Sequence, residues 1–123
     1  MEKVQTSFYI TKEIKDLVKF LSKREEITKT VFYRRAIRNF FSVNSKIDPR
    51  VMLTERSNPD YIRRDVLETM IFDEDQISLI EQKAERLGCS KSCVIFQALI
   101  DYCALLLTVD ASGVEIKETK DYY

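Results

Sequence analysis

TKEIKDLVKFLSKREEITKTVFYRRAIRNFF (Thr11–Phe41) and DEDQISLIEQKAERLGCSKSCVIFQALIDYC (Asp73–Cys103) decide the fold of this chain. The two stretches align without a gap at an offset of 62 residues, so that Thr11 falls on Asp73, Thr28 on Ser90 and Ala36 on Ala98. Each is preceded by a short apolar-polar alternation. Units of about forty residues with one strand and two helices bury too little surface to stand alone, so two copies in one chain imply a built-in pair.

Outward from the first stretch, KVQTSFYI (Lys3–Ile10) alternates with period two. Val4, Thr6, Phe8 and Ile10 share one face, and Lys3, Gln5, Ser7 and Tyr9 the other, the pattern of a half-buried strand. Thr11 is placed to cap a helix, in which Ile14, Leu17, Val18 and Leu21 follow helical spacing. Glu25–Ile27 breaks it. Thr28 caps the next helix, with Val31, Phe32, Ala36, Ile37, Phe40 and Phe41 inward and Lys29, Arg34, Arg35 and Arg38 elsewhere. The second unit opens with Val66–Phe72 as a strand. Asp73 is the expected cap of its first helix, whose apolar stripe is Ile77, Ile80, Ala84 and Leu87. Gly88 suits a left-handed helix end, and Ser90 caps a last helix that is apolar nearly all round, the mark of a core or interface helix.

The expected organisation is therefore a first repeat over residues 3–42, a linker over 43–64, a second repeat over 65–107 and a polar tail over 108–123. The fold class expected is mainly α with a short two-stranded antiparallel ribbon. The linker holds the turn formers Asn44, Ser45, Asp48-Pro49 and Ser57-Asn58-Pro59-Asp60. As a flexible chain it would span about 26 Å root-mean-square, enough to lay the second strand beside the first. Brief extended pieces are expected at Val51–Thr54 and Val114–Lys117.

Composition narrows the function classes. The chain of 123 residues is 45% hydrophobic and 33% charged with two Gly and two Pro, which fits a helical domain with a real core. Net charge is zero, but residues 1–50 carry 12 Lys/Arg against 6 Asp/Glu, while residues 51–123 carry 8 against 14. The basic half attracts phosphate and the acidic half repels it. With no histidine, no Gly-rich phosphate loop and no nucleophile–base pair, the sequence argues against an enzyme. Neither a cofactor nor a metal is expected. Cys89, Cys93 and Cys103 read as reduced thiols. No signal-peptide pattern is visible, and the most apolar run, Ala98–Val109, is short and interrupted by Asp101. A cytoplasmic protein without membrane contact is the expectation.

The first unit resembles a ribbon-helix-helix DNA-binding domain of the Arc/MetJ/CopG group, through the alternating strand, T-K-E-I-x-D-L-V and I-T-K-T-x-x-Y-R-R-A-I. The second resembles the CopG-like pattern through F-D-E-D-Q-I, A-E-R-L-G-C-S-K-S and Q-A-L-I-D-Y. Together they cover about 80 of the 123 residues. In that family two paired strands enter the DNA major groove, outward side chains read base edges, and the start of each second helix holds a phosphate. The resemblance implies Gln5, Ser7 and Tyr9 as base-reading residues, with Lys3 just outside them and Thr69 on the second strand. Tyr9 departs from the basic or amide residue usual there. It implies Thr28, Lys29 and Thr30 at one phosphate, with Arg34 and Arg35 a turn on, and Ser90, Lys91 and Ser92 at the other.

The second strand departs further. Its outward residues by the same alignment are Leu67, Thr69 and Ile71. A register slip of one residue would instead turn Glu68 and Met70 outward. An apolar outer face is also a candidate protein interface, as are Leu105 and Leu106 on the last helix. The expected partners are double-stranded DNA, a second copy of the chain, and a protein docking on the second repeat or tail, where Tyr122 and Tyr123 could anchor. The resemblance implies a sequence-specific transcriptional repressor. Alternatives are an antitoxin, a relaxosome accessory factor of a mobile element, or a protein-interaction module with degenerate DNA binding.

Overall fold

Alternation, caps and breaks in the sequence become the elements of the fold. The computed structural model describes the backbone of residues 2–119 and the side chains of residues 2–109. Chain order is β1 (Lys3–Ile10), α1 (Lys12–Arg24), α2 (Lys29–Ser42), a 3-10 helix (Pro49–Met52), β2 (Val66–Asp73), α3 (Glu74–Leu87) and α4 (Lys91–Thr119). The 62-residue offset recurs in the starts of α1 and α3 (12 and 74) and of α2 and α4 (29 and 91).

Local chemistry sets the boundaries. The Thr11 hydroxyl accepts from the Ile14 N–H, and that of Thr28 from the Val31 N–H, each relieving one orphan donor of a helix start. Between α1 and α2 the chain reverses through Glu26, a non-glycine residue at φ 58°. Gly88 takes the same left-handed region after α3, at φ 68° with a backbone N–H to Ala84 O, where the absent Cβ removes the steric cost. Asp73 occupies the cap position of α3 but makes no side-chain cap bond; its carboxylate is held by Lys3 instead.

β1 and β2 pair antiparallel, with Lys3 opposite Asp73, Ser7 opposite Thr69 and Ile10 opposite Val66. A lone two-stranded ribbon is at best marginal in water, so its inner face must be covered. Phe8, Ile10 and Phe72 point inward and are fully buried. They join Val18 and Leu21 of α1, Phe32, Tyr33, Ala36, Ile37 and Phe40 of α2, Ile80 of α3, and Val94, Ile95, Phe96, Ala98 and Leu99 of α4. Phe8 packs edge-on against Tyr33 at 5.5 Å, and Phe32 against Tyr102 at 5.1 Å. Each such side chain contributes about 1.5–3 kcal/mol on burial. Burial pushes the Tyr33 phenol well above its ordinary pKa, with the charge of Glu68 adding to it. It also pushes the Cys103 thiol up to about 12. All three cysteines are free thiols.

Several expectations on the connections are corrected. Val51–Thr54 is not extended throughout: Val51 and Met52 end a 3-10 helix whose first turn Pro49 pre-sets and which Asp48 caps by accepting from the Arg50 N–H, and the extended backbone begins only at Leu53. Nor is the linker slack. Ile47 and Val51 are buried, Gln97 Oε1 accepts from the Asp48 N–H at 2.9 Å, and Arg64 donates to Val51 O at 2.8 Å while stacking on Phe96. The strand expected at Val114–Lys117 lies within α4, which continues helical to Thr119 across the boundary expected at residue 108; no proline stops it. Tyr122 and Tyr123 fall outside the described residues. Finally, Lys91–Val109 is long and apolar enough to cross a membrane by length and composition, contrary to the sequence reading; 44% of it is buried, as the central helix of this core.

The pinned linker yields two expected outcomes. Val51→Ala should cost about 2 kcal/mol in urea unfolding, against essentially nothing for a slack tether. The Arg50 guanidinium and N–H hold the Asp48 carboxyl down to about 2. A lowered folded pKa contributes stability that is present above the ordinary carboxylate range, near 3.9, and is lost as pH falls toward 2. The melting temperature of Asp48→Asn should therefore fall less between pH 4 and 2 than that of the unaltered chain.

Candidate nucleic-acid interface

Strand parity puts four β1 side chains and three β2 side chains on the outer face of the ribbon. Lys3, Gln5, Ser7 and Tyr9 are exposed, as are Leu67, Thr69 and Ile71, while Thr6, Phe8, Glu68 and Phe72 are buried beneath. The register slip that would turn Glu68 and Met70 outward does not occur: Glu68 is buried and Met70 packs against the core. Cross-strand pairs on the outer face are Lys3–Asp73, Gln5–Ile71, Ser7–Thr69 and Tyr9–Leu67. Lys3 Nζ lies 2.9 Å from the Asp73 carboxylate, which holds the Asp73 carboxyl below its usual range. The Ser7 and Thr69 hydroxyls are 2.9 Å apart. The face is thus charged at one end, polar in the middle, and aromatic and aliphatic at the other, with Tyr9 49%, Leu67 56% and Ile71 46% exposed.

A ribbon of two strands has two open edges; α4 meets the β1 edge and α2 the β2 edge. The Tyr9 N–H donates to Ser92 Oγ at 3.0 Å, tying β1 to the first turn of α4. On the opposite edge Arg34 Nε donates to Ile71 O at 3.3 Å, tying β2 to α2. Tyr9 and Ile71 are equivalent under the 62-residue offset. These contacts occupy backbone groups that would otherwise recruit a foreign strand. They also draw the starts of α2 and α4 to the flanks of the ribbon, where N–H groups without intrahelical acceptors and the helix dipole favour an anion.

The residues expected at the two helix starts are occupied unequally. At α4, Ser90 Oγ caps the Cys93 N–H, Ser92 holds β1, and exposed Lys91 lies 4.0 Å from the exposed Glu81. At α2, Thr28 caps, the Thr30 hydroxyl sits 3.8 Å from Met70 Sδ, Arg34 is spent partly on β2, and Arg35 is exposed. Lys29 is not an open cation. Its Nζ lies 3.5 Å from Glu68 Oε1, and Lys15 Nζ lies 3.8 Å from Glu68 Oε2. Glu68 is the principal feature the residue pattern left unassigned. It is a carboxylate only 7% exposed, opposite Phe8 on the inner side of the ribbon. The sequence left its face open, since a slip of one residue would have turned it outward; a charge buried there needs partners, and two lysines supply them.

The two other interface candidates separate. Leu105 is exposed near the described end of α4, whereas Leu106 is partly buried against the core and its carbonyl accepts from Arg24. Among the described residues no cluster of three or more His, Cys, Asp or Glu could hold a metal. The Cys93 thiol instead donates to Val51 O and accepts from Arg64. Compared with protein-family models, curated proteins and solved structures, the chain matches none.

The edge contact is open to a direct check. Ser92→Ala removes the acceptor of the Tyr9 N–H, a hydrogen bond of about 0.5–1.5 kcal/mol net. Exchange of the Tyr9 amide should accelerate about three- to tenfold, with core amides of α4 unchanged.

Proposed function

We propose that this protein is a sequence-specific DNA-binding protein that lays the β1–β2 ribbon in the major groove, and that it acts as a transcriptional repressor in the cytoplasm. The observation that carries the reading is the ribbon itself. Two strands from two repeats are buried on one face by helices, and the other face is free, with side chains that include an amide, two hydroxyls and a lysine. A two-stranded ribbon fits the major groove, where such groups distinguish base pairs. The proposed arrangement is a ribbon-helix-helix pair within one chain. In its support, Ser7 and its 62-offset equivalent Thr69 lie opposite each other, so a pseudo-twofold axis would pass between them. The ties of α2 to β2 and of α4 to β1 join equivalent elements, through different groups.

The two halves of such a site would differ. Gln5 lies opposite Ile71, pairing an amide suited to adenine with an aliphatic side chain suited to a thymine methyl. The related pair is Tyr9 with Leu67, which contributes apolar contact and one phenol. The target would then be non-palindromic. Ser90 and Lys91 at the start of α4, and Arg35 on α2, are the proposed phosphate contacts.

A second reading, a protein-interaction module, draws on the exposure of Tyr9, Leu67 and Ile71 on one face. A repressor, an antitoxin and a relaxosome accessory factor share the DNA-binding step and differ in partners. Selection from random duplexes followed by titration at two salt concentrations separates the readings. The unaltered chain should select an asymmetric site. Gln5→Ala should relax one side of it, by about 1–3 kcal/mol at that base pair. Gln5→Ala/Ser7→Ala/Tyr9→Ala should abolish discrimination while retaining salt-dependent backbone binding. A palindromic consensus, or discrimination that survives the triple substitution, would refute the assignment. No binding to any duplex would favour the protein-interaction module.

A further inference from the structure

Glu68 is the one acidic side chain buried in the core beneath the ribbon, among the described residues. Its two oxygens face Lys29, the first residue of α2, and Lys15 of α1 at 3.5 and 3.8 Å. At the equivalent place in the first repeat stands Thr6, also buried but uncharged, and the equivalent of Lys15 is the apolar Ile77. At the start of α4, Lys91 faces only the exposed Glu81, at 4.0 Å, whereas the start of α2 faces a carboxylate buried in the core.

We propose that Glu68 is an internal anion that takes the place of a phosphate at the start of α2 and so attenuates DNA affinity on that flank. The inference rests on the DNA-binding reading for its consequence, but not for its local chemistry. A buried carboxylate must keep its charge partners, because leaving it alone in a poorly solvated site is costly. Lys29 and Lys15 are half-exposed and would otherwise be free to grip a phosphate; here they neutralise a charge of the protein's own. An incoming phosphate meets two lysines whose charge is already half offset by one carboxylate, and it is repelled by Glu68 across a short, weakly screened path. The device works in one direction only. It lowers affinity on the α2 flank and leaves α4 as the stronger anchor, so the protein would grip its site unequally.

The test uses the full chain, unaltered and as Glu68→Gln, with Glu68→Thr as a second variant carrying the residue found at the equivalent place in the first repeat. Folding is checked by thermal melts. One measurement is anisotropy titration of a labelled random-sequence duplex over a range of salt. The other follows the Lys29 and Thr30 amides by NMR as inorganic phosphate is added. Neutralising Glu68 should tighten duplex binding about tenfold at low salt and steepen the salt dependence by about one to two counterions. Phosphate should move the Lys29 and Thr30 amides in the variants but not in the unaltered chain. Equal affinity, equal salt slope and equal phosphate response in folded variants would overturn the inference. If no protein binds duplex but phosphate moves those amides only in the variants, the DNA-binding reading fails and the role of Glu68 stands. If phosphate moves them in none, the inference fails whatever the duplex does.

Discussion

The β1–β2 pairing is the constraint on which the rest of the structure depends. Its strands are about sixty residues apart in sequence, so closing the ribbon carries a loop-closure cost that local contacts do not repay. The compensation comes from beneath. Phe8, Ile10 and Phe72 seal one face against α2 and α4. The linker, through Val51, Arg64 and the Asp48–Gln97 hydrogen bond, is welded onto α4 rather than left as a tether. The second repeat thus arrives beside the first already oriented, and the ribbon exists within one chain.

That pairing also fixes the chemistry of the exposed face. With Ser7 opposite Thr69, every other outward residue acquires a defined neighbour: an ion pair at one end, an amide beside an aliphatic side chain, and an aromatic beside an aliphatic at the other end. A homodimeric ribbon would repeat one half on the other. Here the halves differ, and the difference extends below the surface, where Glu68 ties Lys15 and Lys29 on one flank and Thr6 ties nothing on the other. On the proposed reading of two repeats in one chain, each half can specialise, because a substitution in one is not imposed on its equivalent.

Much of this was legible in the sequence because the signals are local. Thr11, Thr28 and Ser90 cap the helices they precede, Gly88 ends α3, and the parity of Lys3–Ile10 separates the exposed face from the core face. What was not legible depends on distant partners. The parity of β2 stayed open because Leu67 and Ile71 are as apolar as the residues behind them, so hydrophobicity alone does not choose a face. Glu68 made matters worse: its burial requires lysines 53 and 39 residues earlier. Val51 looked like extended chain because its neighbours, Cys93 and Arg64, come together only in the fold. Lys29 was a fair choice for phosphate by position, and only the structure shows its charge already engaged.

On the proposed function, the outer face of the ribbon is the surface that meets DNA. The most direct measurement is a two-dimensional amide NMR titration of the full chain with a selected duplex. The largest shifts are expected at Gln5, Ser7, Tyr9, Leu67, Thr69 and Ile71, followed by the first turn of α4, with the solvent face of α1 unmoved. Shifts concentrated on α1, or on the exposed leucines of α4 with the ribbon silent, would contradict it.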